Sequence, residues 1–408
     1  VPALHTRIAS LRAFGHRNFV SVWLGALVSN IGTWMETIAM GIYVTKVTGL
    51  AEWAGGIAAL NFLPAVVLAP VGGALADRFD RRRYLAVGVL VQALLAGILT
   101  VLAFTGRLSV PAVAVISFLN GCAATLTNPA FSALIAEVVP PEDLHSALSL
   151  NSAQFNVGRI LGPTLAALVL TTAGTAWALL INTVSFLAVL VALALVRTAP
   201  HAVRKLEGLG AGIVRGVRVA LEDPEIAKAL LGTLVVAALV APFIGLVPVF
   251  ALRIFHQEAA TSLLVAMQGA GAVTAALSVG SLVERLGRKR LMQWVALLIG
   301  PMAAWYWLTP SVSAAAAAIF GLGALYMMMV TGFHTVCQLR ATREMQARVS
   351  SLFSMVLGAG YSTGVWLQGA LADRIGLRLV TVTAAVLFLA LVLSWRLLRP
   401  RDVQVTGA

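Results

Sequence analysis

Residues 73–83 read Gly73-Ala74-Leu75-Ala76-Asp77-Arg78-Phe79-Asp80-Arg81-Arg82-Arg83, and residues 280–290 read Gly280-Ser281-Leu282-Val283-Glu284-Arg285-Leu286-Gly287-Arg288-Lys289-Arg290. Both stretches carry a glycine, then an acid–arginine pair, then a basic cluster, and both follow a long apolar run. Their offset of 207 residues is about half of the 408-residue chain. A repeat of half-length implies two similar halves related by an axis along a membrane normal.

The composition agrees with a membrane setting. Apolar residues make up 60% of the chain and charged residues 11%, with a mean hydropathy of +0.92. Soluble domains usually carry charge on about a quarter of their residues. Too few charges are present to cover a soluble exterior, which excludes a soluble enzyme, a disordered chain and a fibrous protein. Apolar runs near 20 residues long predict twelve spans. They fall at 19–45, 53–76, 84–105, 110–136, 146–171 and 175–196, then at 227–252, 260–283, 291–309, 311–337, 347–371 and 378–398. Pro64, Pro129, Pro163, Pro242, Pro248 and Pro301 lie inside them and read as kinks. The expected fold is an all-α membrane protein with two six-helix bundles, at 1–196 and 227–408. A polar linker at 197–226 joins them, and its 210–221 portion reads either as a short interfacial helix or as chain without fixed structure.

Charge sets the orientation. With the N-terminus in the cytoplasm, 23 of the 29 Lys and Arg fall on the cytoplasmic side and 5 on the outer side, leaving Arg159 inside a span. That bias predicts both termini cytoplasmic in a bacterial inner membrane. The net charge of +13 therefore reads as topology and attraction to anionic lipid, not as nucleic-acid binding. Cys122 and Cys337 sit in apolar runs and read as small buried hydrophobes, with no disulfide or metal site expected. The first apolar run reads as a spanning helix instead of a cleavable signal. No phosphate loop, zinc helix or cysteine box is present, so neither an enzyme nor a cofactor is expected.

The run from Gly73 through Asp77, Arg78, Arg81 and Arg82 resembles the signature loop of the major facilitator superfamily. Glu284, Arg285 and Arg288 resemble its degenerate second-half counterpart. Asn128-Pro129-Ala130, Val138-Val139-Pro140-Pro141 and Gly158-Arg159-Ile160-Leu161-Gly162-Pro163 are similar to a bacterial drug-efflux branch that includes macrolide-type multidrug exporters and the enterobactin exporter. The resemblance implies alternating access, with Asp77 bridging loop to bundle through charge-assisted bonds when the cytoplasmic side is closed. Asp80 stands where the family pattern has glycine. Gly158, Gly162 and Pro163 resemble part of an antiporter signature whose trailing glycines are missing, and Gly360 and Gly364 give span eleven a parallel stripe for close helix packing.

Ionisable groups inside a membrane are costly and mark pathways. Glu36 is the one acid deep in a span, and Arg159 is the other embedded charge, so the two are expected to carry proton coupling, Arg159 as counter-ion if the helices face each other. Asn30, Trp34 and Thr37 share the Glu36 span and are expected to line a cavity with it. Asn61, Asn120, Gln154 and Phe155 from the first half, and Phe243, Gln268, Tyr326, His334 and Tyr361 from the second, complete the candidate cavity. Span four lacks the arginine that many proton-driven relatives share, which leaves sodium coupling or uniport open. The expected function is secondary active export of small amphipathic or hydrophobic compounds, by proton antiport, from a monomer. A dedicated siderophore or lysophospholipid carrier, and a non-transporting sensor with a sealed cavity, are the alternatives. One acid in an apolar cavity mildly favours neutral or cationic substrates.

Overall fold

The structure is a computed structural model that describes residues 9–196, 217–218, 222–342 and 345–397. Among these residues it is all-helical. After a 3-10 turn at Ala9–Gly15 come α1 (Arg17–Thr48), α2 (Ala51–Phe62), α3 (Pro64–Arg78), α4 (Arg81–Phe104), α5 (Val110–Glu137), α6 (Leu144–Thr172) and α7 (Thr175–Leu195). The second part holds α8 (Pro224–Leu239), α9 (Val247–Phe250), α10 (Glu258–Leu286), α11 (Arg288–Leu308), α12 (Val312–Arg340), α13 (Gln346–Ile375) and α14 (Leu377–Leu397). Among the described residues, nine helical segments are long and apolar enough to cross a membrane. Most of the expected linker, including Ile213 and Leu221, lies outside the described residues.

Local chemistry explains the helix boundaries. Asp80 opens α4 by accepting the Arg83 amide at 2.8 Å, and Asp223 opens α8 by accepting the Glu225 and Ile226 amides at 2.8 and 3.3 Å. That cap starts α8 at Pro224, three residues before the expected bundle edge. Gly49 stops α1 in the left-handed region, at φ 65°, where its amide reaches the Thr45 carbonyl. Span two is broken at Leu63, just before Pro64, as the kink expectation had it. Span seven departs further from expectation. In place of one helix over 227–252, α8 ends at Leu239 and the chain continues through a 3-10 turn at Ala241–Phe243, α9 and a π turn at Ala251–Phe255. Pro242 and Pro248, six residues apart, each remove a backbone donor, and the ladder breaks where they act together.

The helices pack in two sets. In the first, α1 lies along α6 and α7, and α4 and α5 pack on each other. In the second, α10 lies along α12, α11 along α12 and α14, and α8 along α13. The sets meet where α13 crosses α2 and α3, where α10 crosses α6, and where α9 touches α1. Glycines permit these crossings. A methyl at Gly364 would stand 2.2 Å from the Ala238 carbonyl oxygen of α8, and one at Gly360 2.9 Å from that of Leu234.

Candidate functional site: a central cleft sealed at one end

One face of α1 carries Asn30, Trp34, Thr37 and Gly41, spaced four, three and four residues apart. Asn30 donates to the Gln154 side-chain oxygen of α6 at 3.0 Å. Trp34 lies under the Arg159 guanidinium at 5.5 Å and against the Phe155 ring at 6.1 Å. Thr37 is exposed, and Gly41 abuts Pro248 of the second set. The cleft between the sets therefore closes near Gly41 and widens toward Asn30. Gly158 and Gly162 bring α6 close: methyls there would meet the Asn30 and Trp34 Cβ atoms at 2.9 and 2.5 Å. Pro163 is buried beside them.

The second set supplies the facing wall. Tyr326 and Tyr361 interact electrostatically with Arg159, Phe243 meets the Tyr326 ring at 5.7 Å, and Phe62 meets the Tyr361 ring at 4.9 Å. Phe243 and Gln268 are fully buried, so they back this wall and do not line it. His334 is half-buried against Phe353, with ring centroids 4.8 Å apart. Asn61 turns to the Ser117 carbonyl of α5 at 3.4 Å, and the Asn120 side-chain oxygen is buried without a partner.

Glu36 and Arg159 do not pair. Glu36 is buried on the opposite face of α1, where Asn182 of α7 donates to its carboxylate at 2.5 Å and Ser185 bonds in turn to the Asn182 carbonyl at 2.7 Å. Positions 34 and 36 are about 200° apart around a helix, which puts the acid and the cleft on different sides. The expected counter-ion relation fails on this geometry, although α1 and α6 do face each other. Arg159 is partly exposed, its Nε is buried without a partner, and no carboxylate pairs with it among the described residues.

The two ends of the cleft differ. At the end carrying Lys46 and Arg253, Asp373 of α13 accepts the Ala51 and Glu52 amides at the start of α2, at 2.9 and 2.8 Å. Arg253 donates to Asp373 at 2.5 Å and to the Gly49 carbonyl, and Lys46 pairs with Glu258 at 2.6 Å. Burial pushes the Asp373 carboxyl upward, and the Glu52 and Ala51 amides together with Arg253 outweigh it, holding the group below the ordinary aspartate range. Beside this seal lies a pocket of about 600 Å³ lined by Lys46, Thr171, His256 and Glu258.

The other end carries the signature loops. Methyls at Gly73 and Gly280 would meet no atom within 4 Å, Arg78, Glu284, Arg285 and Arg288 are exposed, and the buried residues of α10 end at Ala275. Arg81 pairs with Glu137 at 2.5 Å and Arg82 donates to the Ala194 carbonyl at 2.9 Å, so both bind the signature loop to its own set. The Asp77 side chain lies outside the described residues.

Asp373 was not among the residues expected from the sequence, yet a signal was there. Gly369-Ala370-Leu371-Ala372-Asp373-Arg374 repeats Gly73-Ala74-Leu75-Ala76-Asp77-Arg78 letter for letter. A search for equivalent loops at the half-chain offset passes over it, because this copy sits at the opposite end of the cleft.

A profile of transmembrane secretion effectors matches residues 8–405. The chain belongs to that family of major facilitator transporters. A region of 150 residues is 31% identical to macrolide efflux protein A of Streptococcus pyogenes, covering 37% of this chain and 37% of that protein. Longer matches are 26% identity to the multidrug efflux pump Tap of Mycolicibacterium fortuitum, over 87% of this chain and 89% of the relative, and 27% to the multidrug resistance protein MdtG of Escherichia coli O1:K1, over 95% and 96%. The fold is shared with a bacterial homologue of the lysosomal transporter Spinster, at TM-score 0.74 and 14% identity over 93% and 96% of the two chains. It is shared also with the nucleoside transporter NupG, at TM-score 0.71 and 12% identity over 93% and 98%. The chain is thus a multi-pass membrane protein of the major facilitator type.

Proposed function

We propose that the protein is a secondary active exporter of small amphipathic compounds that exchanges them for protons by alternating access. In this reading twelve spans form two six-helix bundles, both termini are cytoplasmic in the inner membrane, and the monomer is the working unit. The observation that carries the reading is the latch between the helix sets at Asp373, with exposed signature-loop residues at the other end of the cleft. With the basic loops inside, this is the inward-facing state. The same sequence motif at opposite ends of the cleft supplies a latch for each facing state. The multidrug exporters among the relatives support the substrate range.

Proton coupling is assigned to Glu36. It is an acid deep in a span whose hydrogen-bond partner, Asn182, is neutral, so the carboxyl can take up and release a proton without breaking an ion pair. Substrate and proton then act on one conformational equilibrium by reciprocal linkage. Arg159 moves from proton coupling to the substrate side. A dedicated carrier for an anionic siderophore or lysophospholipid is the second reading, favoured by the unpaired cation in the cleft. The test is efflux of fluorescent amphiphiles from proteoliposomes, with and without an imposed proton gradient, for wild type and Glu36→Gln. Gradient-driven efflux should vanish in the variant, while exchange without a gradient persists. Wild-type efflux that ignores the gradient, or a fully coupled variant, would remove the antiport assignment.

A further inference from the structure

Glu36, the acid that made cationic substrates attractive at the level of sequence, faces α7 and not the cleft. What stands at the centre of the cleft is Arg159. Its guanidinium rests on the Trp34 face at 5.5 Å, its Nε is buried and unpartnered, and its electrostatic neighbours are the Tyr326 and Tyr361 hydroxyls of the other helix set. A partly buried cation without a carboxylate carries a desolvation cost that no ion pair repays. Stacking on Trp34 offsets part of that cost and leaves the guanidinium's hydrogen-bond donors unused. Phenol hydroxyls, unlike carboxylates, add no negative charge to balance it.

The geometry points to a binding site for amphiphilic organic anions, in which Arg159 receives the anionic group and the Trp34, Phe155 and Tyr326 rings receive a planar apolar body. This deepens the exporter reading and rests on its central cleft being the substrate path. Several features agree. Guanidinium forks match carboxylate, sulfonate and phosphate oxygens. Tyr326 and Tyr361 can donate to the same group from the facing wall. Phe155 is 47% exposed and already touches Trp34, so the apolar wall is presented to the opening. A cation entering the same space would meet an uncompensated like charge. Contact with both helix sets at once also explains how such a ligand would couple binding to rocking: Arg159 belongs to α6, and the tyrosines belong to α12 and α13.

The test uses ligands that share one ring and differ in charge. Binding of 1-naphthalenesulfonate, 1-naphthylmethanol and 1-naphthyltrimethylammonium is measured by calorimetry on the full-length protein in phosphatidylcholine nanodiscs, for wild type, Arg159→Gln and Arg159→Lys. The wild type should bind the sulfonate at least tenfold more tightly than the ammonium compound. Arg159→Gln should lose that preference while retaining the neutral ligand, and Arg159→Lys should keep part of it. Competition with lysophosphatidate distinguishes the two sources of anion. Displacement of the sulfonate assigns the site to lipid headgroups, and no displacement assigns it to free aromatic anions; both keep the anion site. An absent or reversed charge preference in the wild type, or a full preference in both variants, would overturn the proposal. Binding needs no gradient or vectorial transport. Intact charge preference with no efflux would therefore sink the exporter reading alone, and efflux with no preference would sink this one alone.

Discussion

Replacing Asp373 with asparagine should unlatch the sealed end of the cleft. The aspartate accepts two amides at the start of α2, at 2.9 and 2.8 Å, and pairs with Arg253 at 2.5 Å. Asparagine is nearly the same size and keeps one oxygen, enough for one of the two amides. The lost charge-assisted amide bond is worth about 1.5–3 kcal/mol, and the lost helix-terminus interaction about 0.3–1 kcal/mol. The ion pair itself is partly exposed and screened, so it adds at most about 1 kcal/mol. Together these come to about 2–5 kcal/mol, and the lower end alone corresponds to roughly a 30-fold shift toward the state open at this end. The readout is labelling of Thr37→Cys by a membrane-impermeant maleimide from the Asp373 side, in a background with Cys122 and Cys337 replaced by serine. Thr37 is exposed in the cleft behind the seal, so its labelling from that side counts openings. The rate should rise at least tenfold in Asp373→Asn. Arg253→Gln should raise it less, and the double variant should fall short of the product of the two effects. Unchanged labelling in Asp373→Asn would refute the latch.

The seal should also follow pH in one direction. Because Asp373 is held below its ordinary range in the closed state, its contribution is fully present above the usual aspartate value and is lost as pH falls through the lowered one. Thr37→Cys labelling with an acid-tolerant thiol reagent should therefore be flat near neutrality and increase only in strong acid. Asn182→Ala leaves the buried Glu36 carboxyl without its donor, and should cost about 1–3 kcal/mol of stability, read as a lower melting temperature in detergent. Glu36→Gln in the same assay should stay near wild type, since an amide oxygen can still accept the Asn182 bond. Gly364→Val places a branched side chain where even a Cβ would lie 2.2 Å from the Ala238 carbonyl oxygen. That packing should fail, with loss of folded protein on size exclusion, whereas Gly73→Ala, with open space around it, should fold normally.

Helix positions were readable because a membrane forces long apolar runs, and because capping residues such as Asp80 and Asp223 start them sharply. The described helices begin and end within three residues of the expected edges, apart from span seven and the C-terminal end of α13, which runs four residues further, to Ile375. Span seven failed because proline inside an apolar run signals a disturbance without stating its extent. The helix α6 continues through its single Pro163, while Pro242 and Pro248 together replace the helix with mixed turns. The site was harder for a different reason. Sequence spacing gives the angle between Trp34 and Glu36 around α1, yet it does not say which neighbour lies on which side. Since α1 is flanked by α6 on one face and α7 on the other, both residues find polar partners, and only packing assigns Arg159 to the first and Asn182 to the second. The same ambiguity made Gln268 and Phe243 look like lining residues when they are wholly buried.

The placement of Glu36 behind α1 bears on kinetics. A carrier whose substrate and proton contend for one carboxylate shows simple competition: more of one ligand raises the apparent Michaelis constant for the other and leaves the maximal rate alone. Here the acid and the cleft face sit on opposite flanks of one helix, with no atom in common. In the antiport reading, protonation reaches the substrate by turning or sliding α1 against α6 and α7. Acidification should then alter the maximal rate of export together with the Michaelis constant, the pattern of mixed inhibition, and saturating substrate should not abolish the effect.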